Sequence, residues 1–237
     1  MISSANIAKE AAAIAALELI LDDMTVGLGT GSTAAYFIKH LAEKCRQGLR
    51  IQAVATSQAS ENLARENKIP LVDINTLSSI DVAVDGADEI DSKNRLIKGG
   101  GGAAFREKIV AAMSQQFIII ADENKCVRNF GKFPLAVEIL PFGYYAILAK
   151  LQNIGYNGKL RKNKNGTLFL SDNGNYIFDI SLTDPCLTPE IDDQKIKSVV
   201  GVIETGFFLN MASKILIGYA DQHVKMLSPL IKNSKVE

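Results

Sequence analysis

Hydrophobic positions along the 237-residue chain follow two patterns, and the change falls near Phe133-Pro134. Up to about residue 131, short and nearly continuous apolar runs alternate with segments whose apolar positions recur every three to four residues. Residues 25–28, 51–55, 80–84 and 117–121 are the apolar runs; 34–44, 60–66 and the stretch after Gly102 carry the helical period. A strand apolar at every position is buried on both faces. Strands of that kind alternating with helices predict an α/β fold, an open and mostly parallel sheet flanked by helices. Such sheets bind ligands at the carboxyl ends of their strands. Asp85 and the loop after Leu28 fall at two of those ends.

Beyond Pro134 the spacing predicts a strand over 135–140 and a helix over 144–153. Two apolar runs, 166–170 and 176–180, flank Asn173-Gly174-Asn175 and read as a hairpin. A helix over 189–200 and a strand from 201 to 204 follow, after which 207–218 returns the chain to the first sheet. The expected division is therefore an α/β core of residues 1–132 plus 207–237, and a smaller α+β unit of residues 133–206. The first 20 residues read as an amphipathic helix interrupted by Lys9, Glu10 and Glu18, without the layout of a signal peptide. No stretch reaches the roughly 18 apolar residues of a membrane span. There is no internal repeat or low-complexity linker, and the tail after Lys232 is expected to fray.

Charge and cysteine usage narrow the function classes. Lys plus Arg balances Asp plus Glu at 26 each, which argues against general attraction to nucleic acid or an anionic membrane. The expected partner is a small molecule. Three cysteines (Cys45, Cys126, Cys186) and two histidines (His40, His223) lie far apart with no ligand spacing. A disulfide framework or zinc site is not expected, and reduced thiols point to a cytoplasmic setting.

The chemistry concentrates in residues 84–108, VDGADEIDSKNRLIKGGGGAAFREK. Asp85 closes an apolar strand, Lys98 precedes four glycines, and Glu107 follows in the next helix. Consecutive glycines free the backbone to turn N–H groups toward a bound oxyanion, at a helix start that already favours negative charge. A carboxylate, a cation and an oxyanion cradle are what moving a proton beside a carbonyl requires. Upstream, Gly27-Leu-Gly-Thr-Gly-Ser-Thr33 joins a strand to a helix. Ser32 breaks the dinucleotide fingerprint, and Ser32 and Thr33 break the Walker pattern. What remains suits one small phosphate held by Thr30, Gly31, Ser32 and Thr33, or a helix capped by Ser32 or Thr33. Plainer readings exist for the other residues. Glu107 would complement a helix dipole, Asp85 and Asp88 would make turns, Lys98 and Lys125 would be solvated charges, and 122–125 would be a cap.

GLGTGST, VDGADEID, KGGGGAAFREK, IIIADENK and FGKFPLAVEILP occur in this order. Together they resemble the A-type ribose-5-phosphate isomerase family across nearly the whole chain. The resemblance implies an open α/β domain with a small α+β lid unit, and an aldose–ketose isomerisation through a cis-enediol with no metal or organic cofactor. It implies Glu107 as the catalytic base and Lys98 as the active-site lysine. Asp85 and Asp88 would contact the sugar, with Gly86 and Ala87 between them. Gly99, Gly100 and Gly101 would form the oxyanion loop. Thr30, Gly31, Ser32 and Thr33 would take the phosphate with Lys125, and Lys9 is a weaker addition. It further implies a homodimer or homotetramer joined through the small unit.

Two departures stand out: Gly102, where alanine is expected, and the stretch Thr205-Gly-Phe207-Phe208. Neither falls on a residue assigned chemistry. Two rivals remain open on the residues alone. One is a hydride-shift isomerase holding Mg²⁺ between Asp85, Asp88, Glu89 and Asp91; the other is a sugar-phosphate sensor with no use for Glu107.

Overall fold

The computed structural model describes residues 3–182 and 188–228; the expectations for Cys186 and the tail after Lys232 lie outside them. Helix α1 (Ser4–Leu17) starts at Ser3, whose Oγ accepts from Asn6 N–H at 3.3 Å. Its buried face is mainly alanine: Ala8, Ala12, Ala13 and Ala16, with Leu17. Small side chains let the helix lie close on the sheet.

The alternating half of the chain then runs β1 (Met24–Leu28), α2 (Ser32–Arg46), β2 (Ile51–Ala55), α3 (Gln58–Glu66) and β3 (Ile80–Asp85). Two short strands follow, β4 (Glu89–Ile90) and β5 (Leu96–Ile97), before α4 (Ala104–Met113) and β6 (Ser114–Asp122). Next come β7 (Leu135–Ile139), α5 (Tyr144–Asn153), β8 (Gly158–Leu160), β9 (Tyr176–Ile180), α6 (Pro189–Lys197) and β10 (Val202–Thr205). The chain closes with β11 (Phe207–Phe208), β12 (Lys214–Gly218) and β13 (Val224–Leu227).

Six strands form the main sheet in the order β13-β12-β6-β3-β1-β2, parallel except for β13 on β12. Successive residues of the central strands are buried on opposite faces. Val82, Val84, Ile118 and Ile120 pack with α1 and α2, while Ala83, Ile119 and Ala121 pack toward Val110 of α4. Each fully buried Val or Ile here contributes about 1.5–3 kcal/mol. The order reverses between β1 and β3: β1 continues outward to β2, and β3 continues the other way to β6. That reversal opens a crevice at the carboxyl ends of the two strands, where Leu28 pairs with Val84 and Gly29 N–H donates to Val84 O at 2.9 Å.

A second, antiparallel sheet has the order β10-β7-β9-β8, with Val137, Ile139, Phe178, Ile180, Ile147 and Leu151 forming its core. A small β11-β5-β4 sheet joins the two, and Lys98 N–H donates to Gly206 O at 2.9 Å beside it.

Two local expectations differ from the structure, and one strand was not expected. Residues 166–170 do not pair along 176–180; only the bridges Lys162–Leu168 and Leu170–Tyr176 form, and β8 takes the edge of β9. The reason is polar. Buried Glu138 accepts from Ser171 Oγ, Asn173 Nδ2 and Asn175 Nδ2 at 2.8, 3.0 and 2.8 Å. These bonds fold 171–175 into its own compact turn instead of a strand junction. Helix α6 stops at Lys197, three residues short of the predicted end. The edge strand β13 had no periodic signal beyond four residues.

Candidate active site

The crevice between β1 and β3 gathers the residues singled out from the sequence. Gly29 permits the closest approach: a Cβ there would lie 2.6 Å from Asp85 Cα. The bare backbone lets the loop fold over the end of β3, so Thr30 N–H donates to Asp85 Oδ1 at 3.0 Å, and Gly86 N–H donates to the same oxygen at 2.7 Å.

On the other side of Asp85 sits Lys98, just past β5. Its Nζ lies 3.1 Å from Asp85 Oδ2 and 3.3 Å from Glu107 Oε2, and all three side chains are at most 5% exposed. Nζ also donates to Gly86 O, and it stands 5.4 Å from the centre of the Phe208 ring. Asp85 Oδ2 and Glu107 Oε2 meet this ammonium as ion pairs, without an aligned hydrogen bond to either oxygen. Two acceptor oxygens thus face each other across one ammonium. Glu107 reaches this point from the first turn of α4, whose start has no side-chain cap.

Burial raises Glu107 first, the neighbouring Asp85 and Asp88 charges raise it further, and Lys98 opposes them; the carboxyl is pushed up to about 8. Burial also raises Asp85, against the pull of Lys98 and of the Gly86 and Thr30 amides. For Lys98, burial alone would lower the ammonium, but Asp85 and Glu107 outweigh it and the net direction is upward. The lysine therefore stays charged, and Glu107 is a carboxyl whose proton leaves near neutrality, as a base at a carbon acid requires.

The cleft is also lined by hydroxyls. Helix α2 begins at Gly31 with no side-chain cap bond, so the expectation that Ser32 or Thr33 caps it is corrected: both side chains are left for other contacts. Ser32 Oγ accepts from Lys9 Nζ at 3.1 Å. Thr30 Oγ1 bonds Thr56 Oγ1 at 2.8 Å and Ser57 Oγ at 2.7 Å, which fixes the loop to the end of β2. Lys125 sits in the short turn after β6, where Asp122 accepts from Asn124 N–H at 3.2 Å. The capping reading of that turn is thus correct, and Lys125 lines the cleft as well.

The cleft has a volume of about 90 Å³ and is lined by Thr30, Gly31, Ser32 and Thr33 and by Lys98, Gly99, Gly100, Gly101 and Glu107. Gly86, Ala87, Asp88 and Lys125 complete the lining. Asp85 sits beneath, in contact with Lys98. An adjoining hollow of about 340 Å³ shares Asp88 and Lys125 and adds Lys9 and Lys132.

The carboxylates weighed as a Mg²⁺ set are dispersed. Glu89 accepts from Gly131 and Phe133 amides at 3.1 and 2.9 Å, and Asp91 holds Arg95 Nε at 2.7 Å. Among the described residues no cluster of His, Cys, Asp and Glu has the arrangement of a metal site.

Of the two sequence departures, one meets a residue assigned chemistry, contrary to expectation, and the other packs just outside the cleft. Phe208 lies against Lys98. A Cβ on Gly102 would stand 2.5 Å from the Phe169 ring. Sequence reasoning also missed Thr56 and Ser57, which were findable as hydroxyls at a strand's carboxyl end, and Arg161, whose Nη1 donates to Gly99 O at 2.8 Å. No local signal marks Arg161.

Fold and cleft place the chain among open-sheet α/β enzymes that act on small anionic substrates at a switch point. Residues 52–222 match the family Ribose 5-phosphate isomerase A (phosphoriboisomerase A), and the chain belongs to that family. It is 47% identical over 221 residues to ribose-5-phosphate isomerase A of Protochlamydia amoebophila, covering 93% of this chain and 95% of that protein. The solved ribose 5-phosphate isomerase of Plasmodium falciparum superposes with a TM-score of 0.89 at 39% identity, over 94% of this chain and 97% of that one. A D-ribose-5-phosphate isomerase in complex with phospho-erythronic acid superposes with a TM-score of 0.88 at 39% identity, over 93% and 97% of the two chains.

Proposed function

We propose that this chain interconverts ribose 5-phosphate and ribulose 5-phosphate in the non-oxidative pentose phosphate pathway, by proton transfer through a cis-enediol. The observation that carries the reading is the Lys98 ammonium held 3.1 Å from Asp85 and 3.3 Å from Glu107, buried in a cleft that a hydroxyl-rich helix start also lines.

Thr30, Gly31, Ser32, Thr33 and Lys125, with Lys9 beside Ser32, anchor the phosphate through amides, hydroxyls and the positive end of α2. Anchoring fixes the open-chain sugar with its carbonyl end on the cluster. Glu107 removes the proton from C2 of the aldose and returns it to C1; one base on one face serves both carbons of a cis-enediol. Lys98 and the amides of the 99–101 loop stabilise the oxygen that becomes negative. Asp85, hydrogen-bonded to two amides and paired with Lys98, accepts a hydroxyl proton during ring opening and the O1–O2 exchange. Asp88 and the backbone of Gly86 and Ala87 hold sugar hydroxyls. No step requires a metal or an organic cofactor.

Phospho-erythronic acid, the molecule held by a solved relative, supplies a probe. Its carboxylate would sit on Lys98 and the glycine amides in place of the enediolate oxygens. The direct test is turnover of ribose 5-phosphate by the purified chain with competitive inhibition by phospho-erythronate. An inactive chain that still binds the inhibitor would overturn the reading in favour of a sensor.

The division into a core of 1–132 plus 207–237 and a small unit of 133–206 belongs to the same reading, supported by the hydrophobic cluster of the second sheet, built mainly from residues 135–199 with Ile97, Phe130 and Phe207 of the core packed into it. So does a homodimer or homotetramer joined through the small unit, where Phe142, Tyr145 and Val200 stand 93, 76 and 82% exposed. A monomeric mass at micromolar concentration would contradict it. No described helix is long and apolar enough to cross a membrane, and a cytoplasmic setting accords with the free thiols of Cys45 and Cys126.

A further inference from the structure

The small unit reaches into the glycine loop through one side chain. Arg161, the residue after β8, donates from Nε to Asp179 Oδ2 at 2.9 Å. Its Nη1 donates to Gly99 O at 2.8 Å and to Gly100 O at 3.2 Å. The guanidinium carbon lies 5.7 Å from the centre of the Phe169 ring. That ring occupies the space a Cβ of Gly102 would need, and Gly102 has φ of +78°, where a side chain is strained. One cation, itself held by a carboxylate and an aromatic face, thus grips the carbonyls of two successive peptides.

The grip has a consequence for the opposite edge of those peptides. In a trans peptide the N–H points away from its own C=O. With the carbonyls of Gly99 and Gly100 drawn to Arg161, the amides of Gly100 and Gly101 face the other way. Gly100 N–H donates to Asp88 Oδ2 at 2.8 Å, inside the cleft. The Gly101 amide has no protein acceptor among the described residues. A charge on the carbonyl oxygens also polarises both peptides and strengthens their N–H groups as donors.

We propose that Arg161 is a positioning residue for the isomerisation, acting through the Gly99–Gly100 and Gly100–Gly101 peptides: it keeps the Gly100 amide on Asp88 and aims and polarises the Gly101 amide, which receives the developing oxyanion. The proposal rests on the isomerase reading above and extends it to a residue of the small unit that need not touch the sugar.

Arg161→Lys and Arg161→Met test it together. Lysine keeps the charge but cannot hold Asp179 and two carbonyls at once. Losing a direct oxyanion donor costs about 100- to 1,000-fold in kcat, so loosening the amides should cost roughly 30- to 300-fold. The affinity for inorganic phosphate should stay within about twofold, while that for phospho-erythronate falls in step with kcat/KM. The ¹H–¹⁵N resonances of Gly100 and Gly101 should move upfield in Arg161→Lys as their polarisation weakens. Wild-type kcat/KM in Arg161→Lys, or a loss of phosphate affinity as large as the loss of kcat, would overturn the proposal. Should Arg161→Met fail to fold, Arg161→Lys decides alone. The resonance comparison needs no turnover, so unmoved Gly100 and Gly101 signals would refute the role of Arg161 whether or not the isomerase reading stands.

Discussion

Replacing Glu107 with glutamine preserves the shape of a side chain only 4% exposed and removes both its charge and its capacity to take a proton. Two consequences follow with different signs. General-base catalysis contributes about 100- to 10,000-fold, and with Asp85 assigned to hydroxyl protons rather than to carbon, kcat should fall at least about 1,000-fold. Phosphate affinity should change by less than about twofold, because the anchor is the Thr30–Thr33 loop, and no hydrogen bond or ion pair of the described residues joins Glu107 to it.

Stability should move the other way at alkaline pH. The ordinary value for the Glu107 carboxyl is 4.5, and burial with the Asp85 and Asp88 charges holds it at about 8 in the folded chain. The folded state therefore binds this proton more tightly than the unfolded state. Its stabilising contribution is complete below about pH 4.5 and is lost as pH rises through about 8. That gap corresponds to at most about 5 kcal/mol, and sharing among Asp85, Lys98 and Glu107 reduces it to a few kcal/mol. The glutamine variant has no such loss. Urea unfolding at pH 5, 7 and 9 should show the variant gaining on the wild type by roughly 1–4 kcal/mol across the series. Wild-type kcat/KM should rise with pH toward an inflection near 8. A stability difference independent of pH, together with a flat rate profile from pH 6 to 9, would refute the assignment of a raised Glu107. Undiminished turnover in the variant would remove it as the base.

Lys98→Met leaves Asp85 and Glu107 buried without their cation, a change that costs about 3–5 kcal/mol; unfolding at pH 6 and 9 should show the larger loss at pH 9, where both carboxyls are pressed to ionise. Gly29→Ala puts a methyl group 2.6 Å from Asp85 Cα, so strand β3 must shift from Lys98; turnover should drop by about 100-fold or more, measured against a melting temperature that separates misplacement from unfolding. Ser32→Ala removes the hydroxyl that meets Lys9 at 3.1 Å, and inhibition by inorganic phosphate should weaken about tenfold, the value of one charge-assisted hydrogen bond.

Much of the site was legible because it is local. Asp85, Lys98, the glycines and Glu107 lie within one crossover of the sheet, where chemistry can be read from residue order and the strand end gives the place. The glycine loop after β1 was legible for the same reason, since a switch point brings two adjacent strand ends together. Arg161 and Phe169 were not, because their contacts with residues 99–102 depend on how the small unit sits on the core, and Phe208 was not, because it reaches Lys98 from a strand more than 100 residues further along the chain. The failed hairpin over 166–180 has a related cause. Its turn residues were read correctly, but Glu138, more than 30 residues away, takes their hydrogen bonds. Gly102 shows both sides: its departure from the expected alanine was visible in the sequence, and its partner Phe169 was not.

The most direct test of proton transfer by Glu107 is conversion of ribose 5-phosphate in deuterated water containing EDTA, with the ribulose 5-phosphate product analysed for label. Undiminished turnover with deuterium at C1 is the predicted result, because the proton passes through a carboxyl that exchanges with solvent. Turnover abolished by EDTA, and in its absence proceeding with no deuterium in the product, would mean a metal-assisted hydride shift and would contradict the account.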